Sequence, residues 1–344
     1  MNARLAAILL VLLAALGGGA LLVRQQAGSQ KPAEAASLGQ PLLKDLQAAD
    51  VAAIAIRQPK GAVITLQRKD DRWTIAERGG FPADFDKVRG FVLLALSLKI
   101  GQLEPIGEKD RARLNLDESG TSIEFLAADG KPLARFTAGR KYFKAEPENP
   151  ARAIGDGRYV ALPGDEKRVY VVSDPLTQAS TKSADWINRT GIAVEKVKTV
   201  DVHHGEGPAG ADWKVERSGD NADWKLAGIR AGEKLETTKA NAAAYTLSQI
   251  DLADVAPQDL KPEDAGLATK PSVVTATTLD GLTYVLKVGK PEGDNYYASV
   301  AVSGERQVRE KALAGYVVLI PKSKLDEILV KRSDLLAKKE EKKK

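Results

Sequence analysis

The sequence predicts an α+β fold in which one layered plan occurs twice behind one N-terminal transmembrane helix. Each copy is an antiparallel sheet of about six strands with two helices. Three observations predict this: a tryptophan motif that occurs twice, strand-like and helical runs in the same order around both motifs, and an apolar stretch at the start. The predicted segments are a membrane anchor or signal (1–24), a flexible tether (25–40), a first α+β repeat (41–190), a second α+β repeat (191–338) and a charged tail (339–344).

The chain begins with 19 uncharged, mostly apolar residues, Leu5 to Val23, which Arg4 and Arg24 flank. As a helix this run is about 28 Å long, close to the thickness of the hydrocarbon core of a bilayer. Two interpretations stay open, a retained single-pass anchor and a signal peptide cleaved near Gly18 to Ala20. Both export the following residues across the inner membrane. The polar stretch Gln25 to Gln40 is typical of a flexible tether.

Two short sequences with a shared tryptophan, DRWTIA and ADWKLA, align Trp73 with Trp224. A pair of alternating apolar and polar runs precedes each of them, which favours two antiparallel strands. These runs are VAAIAI (51–56) and VITLQR (63–68) in the first copy, and VKTVDV (197–202) and DWKVER (212–217) in the second. The tryptophans are predicted to be core anchors that pack a helix onto the sheet, with ligand stacking as the alternative.

An amphipathic helix is predicted after each tryptophan, over Ala83–Leu98 and Thr237–Ile250. Asp84 is placed to cap the first helix. The residues predicted to face inward are Phe85, Val88, Val92, Ala95 and Leu96 in the first helix and Ala240, Ala243, Ala244 and Leu247 in the second. Because a D-G pair between alternating runs is a strong hairpin signal, β-hairpins are predicted at Asp129-Gly130 and Asp280-Gly281.

Each copy is predicted to close with two strands and a second helix. The first copy has RYVAL (158–162), RVYVV (168–172) and the helix PLTQASTKSADWINR (175–189). The second has YYASVAV (296–302), GYVVLIP (315–321) and the helix SKLDEILVKRSDLLAKK (323–339). The first copy carries an extra segment, Lys141 to Ala153, and the second has a proline-containing loop at Gln258 to Lys270.

Gly205, Gly207 and Gly210 form a G-x-G-x-x-G pattern beside His203 and His204, the two histidines of the chain. A dinucleotide site needs a helix after such a loop. Here the strand-like run DWKVER follows, so a hairpin loop is predicted and nucleotide binding is not. Neighbouring strand residues point to opposite faces, so the histidines are predicted to be a solvent-facing pair and not a metal site.

The acidic residues of the predicted turns and helix ends give no pattern that indicates catalysis or metal binding. Asp84, Asp86, Asp185, Asp220, Asp223 and Asp334 are interpreted as caps, turn residues or local ion-pair partners. The chain has no cysteine, which excludes thiolate ligands and a cysteine nucleophile. The sequence therefore predicts no catalytic, cofactor-binding or metal-binding residue and no cofactor.

The positive charge of the chain is concentrated at its C-terminus. The net charge is +5, and residues 331–344 account for +4 of it, with seven basic and three acidic side chains. The preceding 330 residues therefore carry about +1, too little for the electrostatic binding of a phosphate backbone. Nucleic acid is excluded as the main partner.

The order of strand pair, W-x-I/L motif, helix, D-G hairpin, "YV" strand and closing helix resembles the bacterial domain-of-unknown-function family 4340, in tandem copies over most of residues 41–338. This resemblance implies an exported, single-span envelope protein encoded beside gliding-motility-type ABC transporters, and an accessory role with a transporter permease as partner. It carries no catalytic residue.

Three function classes stay open at this point. The first is a non-catalytic, membrane-anchored extracytoplasmic accessory or scaffold protein in the inner membrane, with residues 5–23 in the bilayer. The second is a periplasmic module that binds a lipid, glycan or peptide in a groove between the copies. The third is an envelope hydrolase that uses paired carboxylates.

Overall fold

The architecture is taken from a computed structural model that describes residues 37–143 and 155–337. The chain divides into two compact units, Met1–Val63 with Arg89–Thr181, and Ile64–Val88 with Lys182–Lys344. The predicted anchor, most of the tether, most of the extra segment and the charged tail lie outside the described residues. The predicted boundaries at 41–190 and 191–338 stay a prediction.

Large antiparallel sheets dominate the described residues, which confirms a sheet-rich α+β fold. The strands of the first sheet are β1 (Ala53–Arg57), β2 (Val63–Lys69), β3 (Arg72–Ile75), β4 (Phe81–Pro82), β5 (Ile100–Pro105), β6 (Thr121–Leu126), β7 (Pro132–Phe143), β8 (Gly155–Ala161) and β9 (Arg168–Val172). Those of the second are β11 (Val197–His203), β12 (Trp213–Glu216), β13 (Lys225–Leu226), β15 (Asp254–Val255), β16 (Ser272–Thr278), β17 (Thr283–Glu292), β18 (Asn295–Ser303) and β19 (Val317–Pro321). A small separate sheet pairs β10 (Thr190–Ile192) with β14 (Ile250–Asp251).

The two large sheets have corresponding strand orders. The first runs β4-β3-β2-β1-β6-β7-β8-β9-β5, and the second runs β13-β12-β11-β16-β17-β18-β19-β15. The edge strand β4 of the first sheet has no counterpart. The other eight strands of that sheet, from β3 to β5, correspond in order to the eight strands of the second sheet, from β13 to β15. In both, the central hairpin turns at the predicted D-G pair, between β6 and β7 and between β16 and β17. The hairpin predictions are confirmed.

Within residues 37–143 and 155–337, four α-helices lie among these strands: α1 (Phe85–Ser97), α2 (Glu108–Arg113), α3 (Thr237–Ser248) and α4 (Lys322–Leu325). Short 3-10 helices lie at Ala48–Asp50, Pro59–Gly61, Ala76–Arg78, Ser183–Asp185, Arg309–Leu313 and Arg332–Leu335. The long helices α1 and α3 confirm the two predicted after the tryptophans. Asp84 Oδ1 accepts the N–H groups of Asp86 (3.0 Å) and Lys87 (3.3 Å), so it caps α1 as predicted.

The inward face of α1 differs from the prediction at its first residue. Val88, Val92 and Ala95 are buried as predicted and Leu96 is half-buried, but Phe85 is 57% exposed. Phe91 is buried instead, and its ring stacks on Phe125 of β6 with centroids 6.2 Å apart. Because Phe91 centres the buried face between Val88 and Ala95, the first residue of the helix falls at the edge of that face. On α3, Ala240, Ala243 and Leu247 are buried and Ala244 is half-buried.

The predicted closing helices are wrong for most of their length. Residues 175–189 contain only the 3-10 helix Ser183–Asp185, and residues 323–337 contain the end of α4 and the 3-10 helix Arg332–Leu335. One carbonyl of each segment bonds to the residue before a long helix: Trp186 O accepts from Asp84 N at 2.7 Å, and Leu335 O accepts from Glu236 N at 2.8 Å. The neighbouring residues form isolated antiparallel bridges, Ala83 with Ile187 and Leu235 with Leu336, which require an extended backbone and not a helical one.

The sheets contain more strands than predicted, nine and eight among the described residues where about six were expected. The predicted hairpins and closing strands are present, and the additional strands are β3, β4, β5, β13 and β15. Three of these, β4, β13 and β15, have only two residues, which is too short to show alternation. Strand β5 buries only its first residue, Ile100, and owes its place in the sheet to pairing with β9.

Candidate functional site

The glycine-rich loop joins the antiparallel strands β11 and β12, as predicted. A Cβ atom on Gly205 would lie 1.8 Å from Lys270 O, and Gly210 has a φ of +83°. The first glycine is therefore required by the close approach of another backbone segment, and the third by a left-handed turn. Since a strand follows the loop, its amides do not form a phosphate cradle at a helix N-terminus.

The two histidines next to this loop have different environments. His203 is 61% exposed and lies between two carboxylates, with Nε2 3.1 Å from Asp201 Oδ1 and Nδ1 3.0 Å from Asp212 Oδ2. The prediction of a solvent-facing pair is wrong for His204, whose side chain is 11% exposed. Its Nε2 lies 3.1 Å from Leu329 O, which can only accept, so this nitrogen carries a proton.

Asp212 holds the loop to both histidines. Its Oδ1 accepts the backbone N–H of His204 at 2.8 Å and lies 3.4 Å from His204 Nδ1. The pKa of this carboxyl is lowered chiefly by the hydrogen bond from the His204 backbone N–H, and further by the hydrogen bond with the His203 side chain. Among the described residues, no group of three or more His, Cys, Asp or Glu side chains is arranged to hold a metal ion.

The histidine loop fastens the end of the described chain. Besides the contact of His204 with Leu329, Trp213 Nε1 donates to Val330 O at 2.7 Å, and Arg332 N donates to Ala211 O at 2.9 Å. The Arg332 guanidinium binds Glu233, with its closest nitrogen 2.7 Å from Oε2. This hydrogen bond from Arg332 is the main reason that the pKa of Glu233 falls to about 2. These contacts, made by His204, Ala211, Trp213 and Glu233, hold residues 329–332 in place and are called the clasp below.

The other acidic residues singled out in the sequence lie apart from one another. Asp86 lies in the first turn of α1, and Asp223 is exposed. Asp220 accepts from Arg217 Nη2 at 2.7 Å, and Asp334 Oδ2 accepts the backbone N–H of Lys331 at 3.1 Å. Asp185 lies in the 3-10 helix Ser183–Asp185. These are capping, turn and ion-pair positions, consistent with the interpretation from the sequence.

A polar cluster that the sequence did not indicate lies in the second unit. Ser183 Oγ donates to Asp254 Oδ1 at 2.7 Å and accepts from Arg78 Nε at 3.0 Å. Nearby, the ring of Phe81 meets that of Tyr316 edge-on, with centroids 5.0 Å apart. Ser183 is only 1% exposed, so its hydroxyl is not accessible to a substrate. The cluster ties the segment Ile64–Val88 to residues that follow it by more than 100 positions.

A pocket and a groove lie among the described residues of the second unit. A pocket of about 350 Å³ is lined by Arg306, which lies between Asp280 and Glu195, and by the buried Glu310, which pairs with Arg309. A wider groove of about 590 Å³ runs along α3 beside Trp224. Trp224 is 6% exposed and Trp73 is 9% exposed, in agreement with their prediction as core anchors.

The fold and these sites define a sheet-rich α+β protein with polar clusters and grooves. Residues 73–270 match the family described as "Domain of unknown function (DUF4340)", and the chain belongs to this family. Neither a curated protein nor a solved structure matches the chain. No helix within residues 37–143 and 155–337 is both long and apolar enough to cross a bilayer, and the predicted membrane segment precedes these residues.

Proposed function

We propose that this protein is a membrane-anchored extracytoplasmic accessory protein whose folded body binds other proteins, and that an ABC transporter permease is among its partners. The observation that carries the proposal is the occurrence of one strand order in two large sheets of the same chain. We interpret these sheets as tandem copies of one α+β repeat behind a transmembrane helix. Repeated units of this kind extend the surface available to partners.

Membrane attachment is the part of the proposal that rests on the first 40 residues. The run Leu5–Val23 contains eight leucines, one isoleucine and two valines. At about −0.4 kcal/mol each, these favour insertion by roughly 4 kcal/mol before the glycines are counted. The polar residues that follow separate this run from the first described residues, as a tether requires. The permease as partner rests on family membership and on what the resemblance implies.

Attachment and orientation are tested by fractionation of intact cells and by a C-terminal reporter that is active only outside the cytoplasm. We expect the full chain to stay in the membrane after an alkaline wash, and the reporter to be active. A matched variant, Leu13→Arg, adds a cost of roughly 3 kcal/mol at the centre of the run and should be lost from the membrane. Recovery of the wild type in the soluble fraction, or an inactive reporter, contradicts the proposal.

The partner is tested by crosslinking in intact cells followed by extraction in a mild detergent and affinity purification of the full chain. We expect an integral membrane subunit of a transporter to be recovered in a fixed ratio to the chain. A control in which another single-span anchor replaces residues 5–23 keeps the body at the membrane and should retain the partner. Recovery of the chain alone under several extraction conditions contradicts an accessory role.

A second candidate function, a ligand-binding module, is favoured by the groove along α3. The groove lies within the second unit, and its chemistry is specific enough to suggest a class of ligand.

A further inference from the structure

A small side chain of α3, Ala244, lines the groove that runs along this helix. Asp84 directly precedes α1 and Glu236 directly precedes α3. The backbone N–H of each residue donates to a closing segment, so the two residues correspond. This pairing places Ala243 at the position of the buried Phe91. Where α1 has two large side chains in succession, Phe91 and Val92, α3 has alanines. Of these two alanines, Ala244 lines the concave space of about 590 Å³ beside Trp224, whereas Ala243 is buried in the core.

One wall of the groove is an arginine held in a fixed position. Arg217 Nε donates to Val197 O at 2.7 Å, and Nη2 donates to Asp220 Oδ1 at 2.7 Å. Its guanidinium lies over the Trp224 ring, 4.8 Å from the centroid. The indole N–H of Trp224 in turn donates to Asn241 Oδ1 at 2.8 Å. The Oδ1 atom of Asn241 thus accepts from Trp224, and the amide nitrogen is the group of this side chain that can donate to a ligand.

The remaining wall offers an aromatic face and balanced charges. Tyr245 is 75% exposed, the largest exposure among the large hydrophobic side chains of the described residues. The charged residues of the lining are Glu195, Lys196, Asp220 and Arg217, whose charges sum to zero. The Ser248 hydroxyl donates to Tyr245 O at 2.6 Å and can still accept a hydrogen bond from a ligand. The groove is therefore neutral, rich in hydrogen-bonding groups, and bordered by a ring that a ligand can reach.

We propose that this groove binds a segment of a neutral glycan chain. A sugar ring presents an apolar C–H face, which an exposed tyrosine ring can cover, and hydroxyl groups that amide, carboxylate and guanidinium groups can bond in both directions. A phosphate or an anionic headgroup fits less well, because the Asp220 carboxylate already engages the Arg217 guanidinium. This inference is independent of membrane attachment and of the permease.

The test uses the full chain in lipid nanodiscs, because glycoside detergents would themselves compete for a sugar site. The probes are two neutral tetrasaccharides, of β-1,4-linked N-acetylglucosamine and of β-1,4-linked glucose, with a sulfated tetrasaccharide for comparison. Saturation-transfer NMR detects binding at dissociation constants of roughly 1 mM, a value typical of weak, shallow sites. We expect transfer from aromatic protons of the protein to at least one neutral probe.

The decisive variant is Tyr245→Ala, which should weaken binding by about tenfold, while Tyr245→Phe retains it. Because Tyr245 is 75% exposed, this variant should keep the far-UV spectrum and melting temperature of the wild type. The matched control is Leu93→Ala, at the equivalent exposed position of α1, which should bind as the wild type does. No transfer to either neutral probe, equal binding by Tyr245→Ala, or a preference for the sulfated probe overturns the proposal.

Discussion

Trp73 in β3 and Trp224 directly before β13 occupy matching places relative to the two sheets, but only Trp224 has an identified hydrogen bond through its indole. Trp224 Nε1 donates to Asn241 Oδ1 at 2.8 Å, whereas no acceptor for Trp73 Nε1 is found in the described part of the chain. Replacement of either tryptophan by phenylalanine keeps most of the buried apolar area. We therefore expect Trp224→Phe to cost more than Trp73→Phe, by about 1 kcal/mol, the usual net contribution of a hydrogen bond.

The origin of this difference is measured by a double-mutant cycle with Trp224→Phe and Asn241→Ala. The two side chains are in contact, so their effects should not add, and the coupling free energy should be about 0.5–1.5 kcal/mol. Complete truncation, Trp224→Ala, should cost roughly 3–5 kcal/mol because it also creates a cavity. The cation–π contact with Arg217, at 4.8 Å, adds to that loss.

The assay is urea unfolding of the full chain in a non-ionic detergent, followed by far-UV circular dichroism because the tryptophans themselves are changed. With a slope of about 1–3 kcal/mol per M, a difference of 1 kcal/mol moves the midpoint by roughly 0.3–1 M. Equal midpoints for Trp73→Phe and Trp224→Phe, or a coupling energy of zero, would refute the assignment of the hydrogen bond as the cause.

Three further predictions concern a helix cap, two glycines and an ion pair. Asp84→Ala should lower the free energy of unfolding by about 1 kcal/mol because it removes the side-chain cap of α1. Glu236→Ala should lower it by less, because Glu236 gives α3 no side-chain cap. Thermal unfolding of the two variants measures the difference. Gly139→Ala would place a Cβ 2.3 Å from Leu114 O, and Gly289→Ala would place one 2.1 Å from Ala265 O. Each substitution should lower the free energy of unfolding by roughly 1–3 kcal/mol. The control Gly219→Ala, which has open space around it, should unfold as the wild type does. The pKa of Glu233 is lowered to about 2, chiefly by Arg332, so its contribution to stability is present above the unfolded pKa near 4.3 and is lost as the pH falls toward 2. Glu233→Gln should lower the melting temperature at pH 6 and flatten its decline between pH 5 and pH 2, and an unchanged decline would count against this pair.

Local patterns in the sequence were sufficient for the elements that depend on local physics. The D-G pairs at 129–130 and 280–281 fix two hairpins because left-handed turn residues are needed there, as at Gly130 with a φ of +80°. The cap at Asp84 and the buried positions Val88 and Ala95 follow from helical spacing alone. These signals extend over only a few residues, so nothing distant can override them easily.

Features that depend on distant residues were not predictable in the same way. The closing segments contain helix-compatible sequences, but Trp186 O and Leu335 O bond to the starts of α1 and α3. The burial of His204 depends on Leu329, which lies 125 residues later. The groove is lined by Ala244 where α1 has the larger Val92, and only the pairing of the two sheets identifies this position.

The correspondence between the sheets separates residues that serve the fold from those that serve a specific role. Arg140 N donates to Leu114 O at 2.8 Å, and Lys290 N donates to Ala265 O at 3.0 Å, so the same contact is kept in both halves with different side chains. Such paired contacts are what one backbone plan requires.

Features that accompany only one of the two sheets are not explained by the strand order that the sheets share. The clasp around His204 and the α3 groove beside Tyr245 are of this kind, and neither is needed to form a sheet of this strand order. A substitution at a paired contact should therefore reduce stability. A substitution at Tyr245, which is exposed, should change recognition and leave stability intact.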